Sequence, residues 1–221
     1  MKERIEKEEY LAIYDFLRKE RCPFEITRPD SNEFYGDLLP KGNLSVFKKK
    51  LSKSDFEFFG AMEVIKKIRR LDLSGLTTEH LPFSFRPFFN LEELSFDGSG
   101  FRTIPIGFNA LPKLKYLNLS RLNLWDFPKL DGLKNLEVLA LRGVKARDFF
   151  FDDMFSGLTK LRVLDLQFGR LDNFSFFKSL KGLKNLEYVD LRGADLSKVD
   201  KTNSLPDLDC EILLGMNFDR K

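Results

Sequence analysis

The sequence predicts an α/β solenoid of stacked short strands, and three registered columns of apolar residues carry that prediction. A nine-residue phrase recurs six times: "IRRLDLSGL" from 68, "LEELSFDGS" from 91, "LKYLNLSRL" from 114, "LEVLALRGV" from 136, "LRVLDLQFG" from 161 and "LEYVDLRGA" from 186. The starts are separated by 23, 23, 22, 25 and 25 residues. A second apolar column falls at unit position 14, as Leu81, Ile104, Phe127, Phe149, Phe174 and Val199. A third stands just before each new unit, as Phe88, Leu111, Leu133, Leu158 and Leu183.

Each phrase reads apolar-x-x-apolar-x-apolar, and one such unit cannot bury its leucines alone. Stacking units shares one core, with neighbouring strands about 4.8 Å apart and hydrogen-bonded to each other. Alternation then turns positions 4 and 6 inward and positions 3, 5 and 7 outward. The pattern resembles the leucine-rich repeat family over roughly residues 68–200. That resemblance implies a right-handed solenoid with parallel strands on a concave face and looser segments on a convex back.

The family usually places Asn at position 9, where its amide ladders adjacent turns. Here that column reads Leu76, Ser99, Leu122, Val144, Gly169 and Ala194. The backbone at the bend must therefore find main-chain or water partners, because a buried unpaired group costs about 1–3 kcal/mol.

At the N-terminus, "KERIEKEEYLAIYDFLRKE" predicts an amphipathic helix with Leu11, Tyr14 and Leu17 in one stripe, stopping before Pro23. Ser54 and Glu57 have capping-box spacing and announce a second helix, with Phe56, Phe59, Met62 and Ile65 on its apolar side. That helix runs into the first strand. The segment between reads as loop, with a short strand at 44–47.

Prolines at 82, 105 and 128 favour extended or 3₁₀ backs in units one to three, while 152–158 and 175–183 leave room for helical turns. Phe83, Phe85, Phe88, Phe89, Phe149, Phe150, Phe151, Phe155, Phe174, Phe176 and Phe177 predict a spine of rings along the back. Ile212, Leu214 and Asn217 fit positions 4, 6 and 9 of a closing strand. The expected organisation is a helical N-terminal cap at 1–67, six repeats at 68–207 and a C-terminal cap strand at 208–221.

The chain carries 37 basic and 34 acidic side chains, a net charge of +3, without the basic surplus expected of a nucleic-acid binder. Lys48-Lys49-Lys50 reads as a solvated edge. No h-region and no membrane-spanning apolar stretch is visible, so the expected location is cytoplasmic and no membrane partner is expected. Cys22 and Cys210 show neither metal-ligand nor disulfide-framework spacing. His80 is the single histidine and reads as a surface residue; Asp152-Asp153 reads as a helix-start pair. No Walker A loop or dinucleotide fingerprint occurs, so no catalytic, metal or cofactor site is expected.

The outward columns are the candidate site. Position 3 contributes Arg70, Glu93, Tyr116, Val138, Val163 and Tyr188; position 5 contributes Asn118; positions 7 and 8 contribute Arg121, Arg142, Phe168 and Arg192. Tyr and Arg are enriched at binding hot spots, and an apolar centre with a charged rim suits a partner protein. Asp72, Glu93, Asp97, Asp165 and Asp190 share the face and repel phosphate. The function expected is a non-enzymatic protein-binding scaffold using the concave face. The alternative is the substrate-selecting portion of a ubiquitin-pathway or host-directed effector system.

Overall fold

The computed structural model describes residues 2–22, 24–26, 53–105, 107–147, 155–169, 180, 182–195 and 210–214. The first strand of the solenoid, β2 (Ile68–Asp72), is followed by β3 (Glu93–Ser95), β4 (Tyr116–Asn118), β6 (Val138–Ala140), β8 (Val163–Asp165) and β9 (Tyr188–Asp190), one per repeat. They pair in parallel with position 4 aligned throughout: Leu71, Leu94, Leu117, Leu139, Leu164 and Val189 face one another on successive rungs. Parallel pairing follows from the crossover that each back segment makes. A closing strand, β10 (Glu211–Leu213), sets Ile212 beside Val189. The eight-stranded sheet is completed at its other edge by β1 (Phe24–Ile26), antiparallel to β2. The chain thus has the leucine-rich-repeat fold, with strands on one face and, among the described residues, mostly turns and bends behind.

The inward positions are closed to solvent. Leu71 and Leu73, Leu94 and Phe96, Leu117 and Leu119, Leu139 and Leu141, Leu164 and Leu166, and Val189 and Leu191 are all buried. Truncating any of these leucines to Ala costs about 2–5 kcal/mol, because neighbouring coils cannot collapse into the gap. In the first two units the rings of Phe83, Phe85, Phe88, Phe96, Phe101 and Phe108 lie 5.4–6.4 Å apart, mostly edge-to-face. Phe89 does not join them and is 52% exposed. Phe96, Phe101 and Phe108 take part although their spacing gave no reason to group them with the back. Phe155 is buried; the remaining phenylalanines assigned to the spine, at 149–151, 174, 176 and 177, lie outside the described residues.

Ahead of the first repeat strand, two helices, α1 (Lys2–Lys19) and α2 (Lys53–Lys67), pack on each other. The buried stripe of α1 is Tyr10, Ile13 and Leu17, while Leu11 and Tyr14 stand at its margins, a shift from the expected stripe. Tyr10, Ile13 and Leu17 follow the i, i+3, i+7 spacing of one helix face more closely. The helix ends in a Schellman motif: Arg21 has φ 51°, Cys22 N–H donates to Leu17 O at 3.1 Å and Arg21 N–H to Arg18 O at 3.4 Å. Ser84 donates to Glu9 and ties α1 to the first coil. In α2, Ala61, Val64 and Ile65 are buried, Met62 is half-buried, and the helix passes directly into β2. The side chains of Phe56 and Phe59, the 44–47 strand, Asp152, Asp153 and Asn217 lie outside the described residues.

The position-9 bend is sealed by main chain. The residue after it donates to the position-9 carbonyl of the previous coil: Gly100 to Leu76 O at 2.6 Å, Lys145 to Leu122 O at 2.9 Å and Asp195 to Gly169 O at 2.9 Å. Leu122 and Val144 are buried there. Ser99 Oγ is buried with no hydrogen-bond partner among the described residues. In unit two the back carries a 3₁₀ turn, Phe108–Ala110, in keeping with its proline. On the rising edge, β5 (Asn123–Asp126) and β7 (Lys145–Arg147) form a second, two-stranded parallel sheet that the repeat phrase does not announce.

Candidate partner-binding face

Position 5 has a structural duty at most coils. Its side-chain oxygen accepts the N–H of position 7: Asp72 from Ser74 at 2.9 Å, Asn118 from Ser120 at 2.9 Å, Asp165 from Gln167 at 2.9 Å and Asp190 from Arg192 at 3.1 Å. Asp and Asn suit this local bond because their short side chains reach two residues along the chain. Asn118 therefore stands on the face as a cap of its own strand end. Unit four has Ala140 at this position, and Arg142 N–H turns to Ser120 Oγ at 3.2 Å instead.

Position 8 is a left-handed column. Gly75, Gly98, Gly143 and Gly193 have φ between 60° and 70°, and Arg121 and Phe168 occupy the same column at 59° and 56°. Each position-8 N–H between Gly75 and Phe168 donates to the position-7 carbonyl of the next coil, which extends the sheet ladder by one bond. A non-glycine residue there costs about 1–3 kcal/mol of backbone strain, and a bulky ring makes it an outlier. Two of six coils bear that cost, and both put a large side chain on the face.

The charged columns are largely self-paired. Arg70 meets Glu93 at 2.9 Å; Arg121 forks Asp97 at 2.7 and 2.6 Å; Arg192 grips Asp190 at 2.6–3.1 Å. Exposed pairs of this kind add little stability. Burial pushes the Asp190 carboxyl up, but the bonds from Arg192 and Gln167 outweigh it and hold it below the usual carboxylate range. Burial, with the nearby carboxylates of Asp97, Glu93 and Asp165, raises the Tyr116 phenol against a lowering bond to Asn118.

The apolar part is continuous. Tyr116, Val138, Val163 and Tyr188 occupy position 3 on four consecutive rungs. The two valines and Tyr116 are half-buried and Tyr188 is 44% exposed. Phe168, 56% exposed, lies over Gly193, where an added β-carbon would stand 2.6 Å from the ring. The Arg142 guanidinium sits 4.9 Å from the centre of the same ring, a cation–π contact.

Several features have no counterpart in the sequence reading. Position 2 alternates in sign (Arg69, Glu92, Lys115, Glu137, Arg162, Glu187), with bidentate Arg69–Glu92 at 2.9–3.0 Å and Arg162–Glu187 at 2.8–2.9 Å. These partners hold the Glu92 and Glu187 carboxyls below their ordinary values. Just before each strand, Asn90, Asn135 and Asn185 donate to carbonyls of Lys66, Pro112 and Thr159 at 2.6–2.7 Å, and Lys113 and Lys160 donate back to Asn90 and Asn135. An Asn ladder thus exists at the opposite end of the strand from the family's usual one. A strict Lys/Asn alternation at the residue before each phrase was the available signal. A hollow of about 740 Å³ opens beside Glu137, Lys160, Arg162 and Glu187, and the contacts just named engage Lys160, Arg162 and Glu187.

On the rising edge Trp125 is 51% exposed and tilted against His80 at 5.5 Å, with His80 Nδ1 3.2 Å from Thr103 Oγ1. Among the described residues no group of His, Cys, Asp and Glu is placed to hold a metal, and no helix is long and apolar enough to cross a membrane.

Fold and face together define a leucine-rich-repeat solenoid whose strand side is only partly consumed by its own contacts. No protein-family model and no curated protein matches the sequence. Solved structures do match. A chain of the glycosylated Toll–Spatzle complex of Drosophila is similar at 20% identity and a TM-score of 0.51, over 70% of this chain and 21% of that one. An internalin (inlF) from Listeria monocytogenes shares 20% identity at a TM-score of 0.45, over 68% of this chain and 41% of its own. The chain spans less than half of either. At that identity the Toll–Spatzle likeness speaks for the fold.

Proposed function

We propose that the chain is a non-enzymatic protein-binding scaffold and that its strand face docks a partner polypeptide. The observation that carries this reading is the position-3 row of Tyr116, Val138, Val163 and Tyr188, which is in register, turned away from the core and continuous with exposed Phe168. Aromatic side chains ringed by charge are the composition of interface hot spots. Retaining Phe168 in a glycine column despite the strain fits a residue kept for contact.

The partner-facing set comprises Tyr116, Val138, Val163, Phe168 and Tyr188 as apolar anchors and Arg70, Glu93, Arg121, Arg142 and Arg192 as the rim, with Asn118 shaping the strand end. The variant carrying Tyr116→Ala, Phe168→Ala and Tyr188→Ala keeps every inward leucine and should fold. In affinity capture from native lysate it should lose the partners that wild type retains. Retention of all of them by a folded triple variant places the interface elsewhere.

A further inference from the structure

Units four and six carry the same arginine in different company. In unit six, Arg192 at position 7 reaches back two residues and grips the Asp190 carboxylate at position 5. In unit four, Arg142 occupies the same place, but position 5 is Ala140. Arg70, Arg121 and Arg192 all have carboxylate partners; Arg142 has none among the described residues and leans instead on the Phe168 ring. The neighbouring acids are engaged: Asp97 by Arg121, Asp190 by Arg192, and Asp165 by the backbone and side chain of Gln167. Among the described residues Arg142 is therefore the one arginine of the face without a carboxylate, at the rim of the apolar patch and beside the place where its own repeat would put an anion.

We infer that the docked partner is an extended polypeptide segment bearing a carboxylate beside an apolar side chain. The carboxylate takes the place above Ala140 that Asp190 fills in unit six, bridging to Arg142, and the apolar side chain lies on Phe168 and Tyr188. This rests on the strand-face reading given above and specifies its chemistry. A guanidinium on an aromatic face keeps its edge N–H groups free for bidentate bonds to a carboxylate. Among the described residues the exposed acids of the face without an ion pair are Asp72 and Glu211, on β2 and β10, each three rungs from the strand that leads to Arg142.

The test is selection of random linear peptides displayed on phage against the full chain, followed by binding of the selected peptides to three variants. Wild type should enrich Asp or Glu next to a large apolar residue. Ala140→Asp supplies the missing carboxylate internally, in a geometry unit six already tolerates, and should weaken those peptides at least about tenfold, as should Arg142→Gln. Phe168→Gly suits the backbone of its column and should also lose them while remaining folded. Peptides lost on the Tyr116, Phe168 and Tyr188 triple variant but showing no acidic preference, or binding Ala140→Asp as well as wild type, overturn this inference and leave the strand-face reading standing. Absence of any peptide sensitive to the triple variant overturns both.

Discussion

Cys22 and Cys210 stand in opposite settings. Burial, assisted by the Glu20 and Asp72 carboxylates, pushes the Cys22 thiol up to about 11, against a small lowering from its backbone bond. Alkylation requires the thiolate, so at pH 8 the native Cys22 is a poor nucleophile, whereas Cys210 is half-buried beside β10. Iodoacetamide on the native chain should label Cys210 well before Cys22, and both together once guanidinium unfolds it; equal native rates read by mass spectrometry contradict that burial. At this scale the sequence told which side chains face outward but not how they are spent. That Asn118 is tied to Ser120, or that Phe168 sits at φ 56°, depends on backbone angles that a pattern of apolar letters does not encode. Four glycines at position 8 were the visible trace of it.

The elements follow from periodicity where the period is long and strict. Position 4 of every coil lines up because six copies of one phrase leave a single register that buries all the leucines. Strands of three or four residues outside the phrase carry no such signal, which is why β1, β5 and β7 were not legible. The stripe of α1 was misplaced for a related reason: Leu11 and Tyr14 are apolar, yet the contact with α2 and the first coil selects Tyr10 and Ile13. The Asn ladder is also a property of elements, since each amide spans neighbouring coils. Asn135→Ala removes its bond to Pro112 O and the Lys160 contact, and should lower stability by about 1 kcal/mol, measured as a shift in the denaturant midpoint. A loss near zero would mean that water replaces the amide fully.

At the scale of the whole molecule, contacts run between neighbouring coils, so stability is a sum of coil terms and interface terms. The two ends differ. On the amino-terminal side β2 is flanked by antiparallel β1, and buried residues of the two helices share its core cluster, while β10 stands last in the sheet order among the described residues. Amide exchange should therefore be slowest in β4 and β6, slow in β2, and fastest in β10. A symmetrical profile, with β2 opening as readily as β10, would show that β1 and the two helices add nothing to the stability of that end.

The alternation of Arg or Lys with Glu at position 2, and of Lys with Asn before each phrase, makes the chemical repeat twice as long as the structural one. Removing or duplicating a single coil would set ammonium against guanidinium, or carboxylate against carboxylate, at the new junction, and would leave an amide without its lysine. Growth or shortening of this chain, by nature or by a protein engineer, is easiest in steps of two.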